Sequence, residues 1–158
     1  MQVRDIMTRD VATARLDTPV HAVARLMEQR RASGIPVVDA ANQVIGIITE
    51  SDLILRNTRL EPPAFFQILD GRIPLESPTH YKERLRHMLG TRAADVMTEK
   101  VVTIGPDALV EDLAALLIEH RVSPIPVVEN GALVGIVGRF DIVRMMAADV
   151  QAEGPPGE

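Results

Sequence analysis

Cysteine and tryptophan are absent, and aromatic residues make up only 3% of the 158 positions. Without cysteine the chain has no disulfides, no thiolate metal ligands and no cysteine nucleophile, which leans towards a reducing interior. With so little aromatic bulk the core has to be aliphatic, and the 46% of apolar residues is largely Val, Ile, Leu, Ala and Met. No apolar run approaches the roughly 20 residues that span a bilayer. The opening MQVRDIMTRD carries Arg4 and Asp5 and lacks the apolar stretch of a secretory signal. A formal charge of −5 disfavours general nucleic-acid binding, whose affinity comes mainly from neutralising phosphates. The expectation is a cytoplasmic protein with no nucleic acid and no membrane among its partners.

What is present is a repeat. Shifted by 90 residues, DIMTRDVAT at 5–13 falls on DVMTEKVVT at 95–103, and RASGIPVVD at 31–39 on RVSPIPVVE at 121–129. Between Val3–Asp39 and Ala93–Glu129, 15 of 37 positions are identical, where average composition gives about two or three. After IPVV the shift becomes 89, because the turn DAANQ is one residue longer than ENGA, a change that a surface turn tolerates. The expected organisation is one unit at 1–56, a connector at 57–92, a second unit at 93–149 and a disordered tail at 150–158.

The coarse order in each unit is β-α-β-β-α. A short strand, Val11–Thr13 or Val101–Ile104, is followed by a helix. In the first copy Thr18 is the expected N-cap, with Pro19 at the first helical position. The apolar face is Val20, Val23, Ala24 and Met27, widened by Leu26, and in the second copy Val110, Leu113, Ala114 and Leu117. IPVV, a tight turn, and VIGII or LVGIV then read as buried strands. A last helix begins near Thr49 or Gly138. A unit this small buries too little surface alone, so the two are expected to pack together. The connector is expected to be helical: PPAFFQILDG opens on Pro and closes on Gly71. SPTHYKERLRHMLG has Ser77 or Thr79 as cap, an apolar face of Tyr81, Leu85, Met88 and Leu89, and Gly90 at its end.

The two copies end differently, as GIITESD at 46–52 and GIVGRFD at 135–141. Thr-x-x-Asp is a capping pattern, and Asp52 or Asp141 in the first turn suits the helix dipole. Gly138 is another acceptable cap. The same geometry offers free N–H groups and partial positive charge to an anion. Both readings stand on these residues alone. His21, His80, His87 and His120 sit at no metal-ligand spacing, and no nucleophile elbow, phosphate loop or paired-carboxylate motif occurs. Lys82, Arg84, Arg86 and His87 read as a solvated helix face.

The doubled, ordered set of DIMT with VAT, IPVVD and GIITESD, repeated as DVMT, VVT, IPVVE and GIVGRFD, resembles the tandem CBS domain, or Bateman module. The resemblance implies an α/β fold of the α+β kind, two β-α-β-β-α units packed as a pseudo-twofold pair that dimerises. It implies regulatory binding of AMP, ADP, ATP, NAD or S-adenosylmethionine in clefts between the units, with no catalysis, no required cofactor and no metal. No regulated enzyme or channel accompanies the pair on this chain, so the partner would be acted on in trans. The resemblance places ribose and phosphate contacts at Thr49, Asp52, Gly138, Arg139 and Asp141. A carboxylate repels phosphate but accepts from two ribose hydroxyls, and the Arg139 fork of donors suits phosphate. It places the adenine slot at Thr13, Ser33, Ile35 and Pro36, and at Thr103, Ser123, Ile125 and Pro126. The other reading is a dimerisation or docking module with vestigial clefts.

Overall fold

The computed structural model describes residues 1–57, 65–68, 71–74 and 77–152. The first half runs α1 (Val3–Ile6), α2 (Val20–Arg30), β1 (Gly34–Val38), β2 (Val44–Thr49) and α3 (Glu50–Arg56). β3 (Phe65–Ile68), β4 (Gly71–Pro74) and α4 (Pro78–Leu89) follow. The second half repeats the first as α5 (Ala93–Val96), α6 (Val110–Glu119), β5 (Ile125–Glu129), β6 (Ala132–Val137) and α7 (Arg139–Ala152). β1 pairs antiparallel with β2 from Gly34 opposite Thr49 to Val38 opposite Val44, and β5 with β6 from Ile125 opposite Val137 to Glu129 opposite Ala132. Each pair carries a register shift at the same place, Val37/Val38 and Val127/Val128.

Four local expectations are corrected. The leading strands shrink to single parallel bridges, Ala14 to Val37 and Ile104 to Val127. Each segment meets the sheet through only two backbone bonds, as where Ala14 donates to Pro36 and Val38 donates to Ala14. Pro19, extended at φ −60 and ψ 143, is itself the N-cap of α2, and Thr18 Oγ1 instead accepts from the Arg15 N–H at 2.9 Å. In the connector, 65–68 and 71–74 are paired antiparallel strands and not helix, with Phe65 opposite Pro74 and Ile68 opposite Gly71, and the rest of PPAFFQILDG lies outside the described residues. The β preference of two phenylalanines and an isoleucine outweighs the Pro and Gly punctuation there. α7 continues to Ala152, past the expected end of the second unit, and the remaining tail at 153–158 lies outside the described residues. SPTHYKERLRHMLG forms α4: Ser77 caps it by accepting from the His80 N–H at 3.1 Å, and Pro78 opens it. Of its expected apolar face, Tyr81 and Leu85 are half-buried and Leu89 is exposed, while the Met88 side chain lies outside the described residues.

The halves exchange their leading turns. Val3 is buried among Ile104, Leu113, Leu117, Ile125, Val127 and Val137 of the second half. Ala93, Val96 and Met97 are buried among Val20, Val23, Ile35, Val37 and Ile48 of the first. Backbone bonds fix both exchanges. Val3 donates to Ala108 and Arg4 to Pro106, and Thr8 and Ile136 bond each other in both directions. Reciprocally, Ala93 donates to Thr18 and Ala94 to Leu16, and Thr98 and Ile47 bond each other. At the far end the hairpin turns meet, where Asn42 Nδ2 donates to the Leu133 carbonyl and the Leu133 N–H to the Asn42 carbonyl, both at 3.0 Å. Each core is thus completed by the other half, which explains how units of this size hold together. The face of α2 buries Val20, Val23 and Met27 while Ala24 is exposed, and that of α6 buries Val110, Leu113 and Leu117.

Candidate functional site

Because each leading segment starts on one half and ends on the other, two chain segments cross between the halves. Residues 8–14 run from the Thr8–Ile136 bridge to the Ala14–Val37 bridge, and residues 98–104 from Thr98–Ile47 to Ile104–Val127. Beside them opens a cleft of about 1060 Å³. The starts of β1 and β5 face each other there: a Cβ on Gly34 would come within 2.7 Å of Pro124 Cδ. The N-termini of α3 and α7 form its ends, because each helix begins directly where β2 or β6 leaves the sheet.

Both helix starts are capped by their own carboxylates. Asp52 Oδ2 accepts from the Thr49 N–H at 2.9 Å and from Thr49 Oγ1 at 3.2 Å. Asp141 Oδ2 accepts from the Gly138 N–H at 2.7 Å. The second oxygens differ. Asp52 Oδ1 has no partner among the described residues, whereas Asp141 Oδ1 is paired with the Arg144 guanidinium at 3.2 Å. The first helical amides differ too. The Glu50 N–H donates to the Ser33 carbonyl at 3.0 Å, while the Arg139 N–H reaches only Ser123 Oγ at 3.4 Å. Gly138 has a packing reason as well: a Cβ there would stand 3.2 Å from Ser123 Oγ, tighter than ordinary contact.

Charge is also uneven. Asp10 is neutralised by Arg30 at 2.9 Å. Arg31, Lys100, Arg121 and Arg139 line the cleft with no ion-pair partner among the described residues. Arg31 and Arg121 occupy equivalent places, both left-handed at φ 50 and 51. The acidic groups are Glu50, Asp52 and Asp141 beside the ion-paired Asp10.

Of the residues expected from sequence, Thr49, Asp52, Gly138, Arg139, Asp141, Ser33, Ile35 and Ser123 line this one cleft. Pro36, Ile125 and Pro126 are buried in the strands behind it. The carbonyls of Pro36 and Pro126 accept from Ala14 at 2.9 Å and Ile104 at 3.1 Å. Thr13 is half-buried, Thr103 is exposed, and neither lines the cleft. Sequence reasoning passed over Arg31, Lys100, Arg121, Pro124, Phe140 and Arg144, which do. The repeat offset holds a signal for two of them, since Arg121 falls on Arg31 and Lys100 on Asp10 beside motif positions. Among the described residues no group of three or more His, Asp or Glu could hold a metal ion, and no helix is long and apolar enough to cross a membrane.

The model of the CBS domain family matches residues 3–57 and 93–148. A Methanocaldococcus jannaschii protein, MJ1426, is 30% identical over 156 residues, spanning 92% of this chain and 91% of its own. The Bacillus subtilis CBS domain-containing protein YhcV is 29% identical over 140 residues, spanning 89% and 81%. Among solved structures, CBSX2 in complex with AMP superimposes with a TM-score of 0.77 at 23% identity, over 93% of this chain and 97% of that one. The CBS domain pair of MJ0100 in complex with 5′-methylthioadenosine and S-adenosyl-L-methionine does so at 0.70 and 22%, over 94% and 98%.

Proposed function

The chain belongs to the CBS domain family, and on that premise we propose that it is a non-catalytic regulatory module of the cytoplasm whose central cleft binds adenosine-containing ligands. The candidates are AMP, ADP, ATP, NAD and S-adenosylmethionine, each as a regulatory ligand and not as a cofactor. The observation that carries the reading is convergence: Thr49, Asp52, Ser33 and Ile35 of one half and Gly138, Arg139, Asp141 and Ser123 of the other line a single cleft. Carboxylates for ribose hydroxyls, helix N-terminal amides with nearby cations for phosphate, and half-apolar strand starts for a base are the groups such a ligand needs. Complexes of two proteins of the same fold with AMP and with S-adenosyl-L-methionine support the ligand class. Binding is tested by thermal shift with those five compounds.

Signalling in this reading passes in trans to a regulated protein from a homodimer. Ile118, Val143 and Met146 on α6 and α7 are exposed large apolar side chains, as an interface would require. Light scattering at micromolar concentration is expected to give twice the mass of the chain, and a monomer mass contradicts the dimer. A second reading, a docking module with vestigial clefts, is favoured by one observation: both carboxylates already cap their own helices. The thermal-shift panel separates the two.

A further inference from the structure

Phe140 stands out in the cleft. The chain has three phenylalanines and one tyrosine, and among the described residues Phe140 is the aromatic side chain that lines the cleft. It is 70% exposed, a wasteful position for a ring with only packing to do. Its equivalent in the first half is Ser51, so the pseudo-symmetry does not require a ring there. The ring is also held in place. The Arg144 guanidinium lies 5.7 Å from the ring centroid and is anchored by Asp141 Oδ1 at 3.2 Å. The ring therefore has a cation beside it, and it presents a π-surface of the kind on which planar bases stack.

The cleft has room for more than a mononucleotide. About 1060 Å³ lies at or above the top of the roughly 300–1,000 Å³ of ordinary small-molecule sites. Arg139, adjacent in sequence to Phe140, has no ion-pair partner among the described residues, so a phosphate bridge beside the ring would meet an available cation.

We infer that Phe140 and Arg144 form a stacking ledge for the second base of a dinucleotide, two nucleosides joined by a pyrophosphate. This rests on the adenosine reading above and adds to it the class of ligand. Arg144 and Arg139 repel a cationic ring, so the second base is uncharged. A dihydronicotinamide fits, and an oxidised pyridinium fits less well.

The test is calorimetry on the full chain with ADP-ribose, NADH and NAD⁺, using the native protein and Phe140→Ser. The variant keeps the fold because the ring is exposed and Ser occupies the equivalent position 51. NADH should bind about tenfold tighter than ADP-ribose, as one base–aromatic stack provides, and tighter than NAD⁺. Phe140→Ser should bring NADH to within about twofold of ADP-ribose and leave ADP-ribose unchanged. Equal affinity of the native protein for NADH and ADP-ribose, or an unchanged ratio in Phe140→Ser, overturns the ledge while ADP-ribose binding leaves the adenosine reading standing. An altered dimer mass in Phe140→Ser with an unchanged ratio also overturns it, assigning the ring to a protein contact. Failure of all three compounds to bind overturns the ledge, and the adenosine reading falls with it only if AMP, ADP, ATP and S-adenosylmethionine also fail to bind.

Discussion

Met97 packs its side chain against the bare backbone of Gly46, across the boundary between the halves: a Cβ on Gly46 would come within 2.9 Å of Met97 Cγ. Met7 and Gly135 repeat the contact in the opposite sense, with Sδ at 2.5 Å and Cγ at 3.0 Å from such a Cβ. The glycine of each GII or GIV run is therefore a socket for the methionine of the other half's DIMT or DVMT run. The two motifs are joined by packing as well as by the repeat.

Gly135→Ala should destabilise the fold by about 1–3 kcal/mol, the usual cost of overpacking. The new methyl meets the flexible Met7 and also the Thr8 carbonyl at 3.1 Å, which the Thr8–Ile136 bonds hold in place. The three atoms nearest a methyl on Gly46 all belong to Met97, a side chain that adapts easily, so Gly46→Ala should cost less. Chemical denaturation of both variants checks the order. Met97→Ala combined with Gly46→Ala should be less destabilising than the two changes summed, because the pair are in contact.

Asp52→Ala and Asp141→Ala should act unequally. Each removes a helix-capping acceptor, a stability loss of about 1 kcal/mol. For ligand, a charge-assisted bond is worth about 1.5–3 kcal/mol, or ten- to a hundredfold in affinity. Among the described residues Asp52 has an unengaged oxygen, while Asp141 already holds Arg144, so the larger affinity loss is expected at Asp52. Calorimetry gives the affinities and thermal unfolding the stabilities. A stability loss with unchanged affinity in both variants identifies the carboxylates as caps alone.

The repeat, the α-β-β-α order after each leading segment and the strand-to-helix turns at Thr49 and Gly138 were legible because they depend on local pattern. The exchange of leading turns was not. An internal period says that Val3 and Ala93 are alike, but not that each packs on the opposite half. The strand pair at 65–68 and 71–74 was missed because Pro and Gly punctuation was weighted above the strand preference of Phe65 and Phe66. The cationic lining escaped notice for another reason. Lys100, Arg121 and Arg31 lie on or beside the crossing segments, and a charge there reads as solvated until the topology brings both crossings to one cleft. Gly138 read as one more acceptable helix cap, and its closeness to Ser123 gives it a packing role as well.

Arg139→Ala should weaken ATP more than AMP. The guanidinium has no ion-pair partner among the described residues and sits at the α7 N-terminus, where the first amide is only loosely held. More phosphate charge means more lost on removing it. Thr49→Gly should reduce affinity only at the first half, whose Glu50 carboxylate disfavours polyphosphates. Titrations of each variant with AMP and ATP check both. Equal losses for the two nucleotides in Arg139→Ala would mean that Arg139 does not read phosphate.

The central claim is that this cleft takes an adenosine ligand, and ligand-dependent thermal unfolding of the unmodified protein tests it most closely. Thermal unfolding with AMP, ADP, ATP, NAD and S-adenosylmethionine at millimolar concentration should show stabilisation by at least one of them. At 100 times the dissociation constant the gain is about 2.7 kcal/mol, a shift of several degrees for a fold of this size. That shift should shrink in the Asp52→Ala, Asp141→Ala double variant. An unfolding temperature unmoved by all five compounds contradicts the account and leaves the docking module in its place.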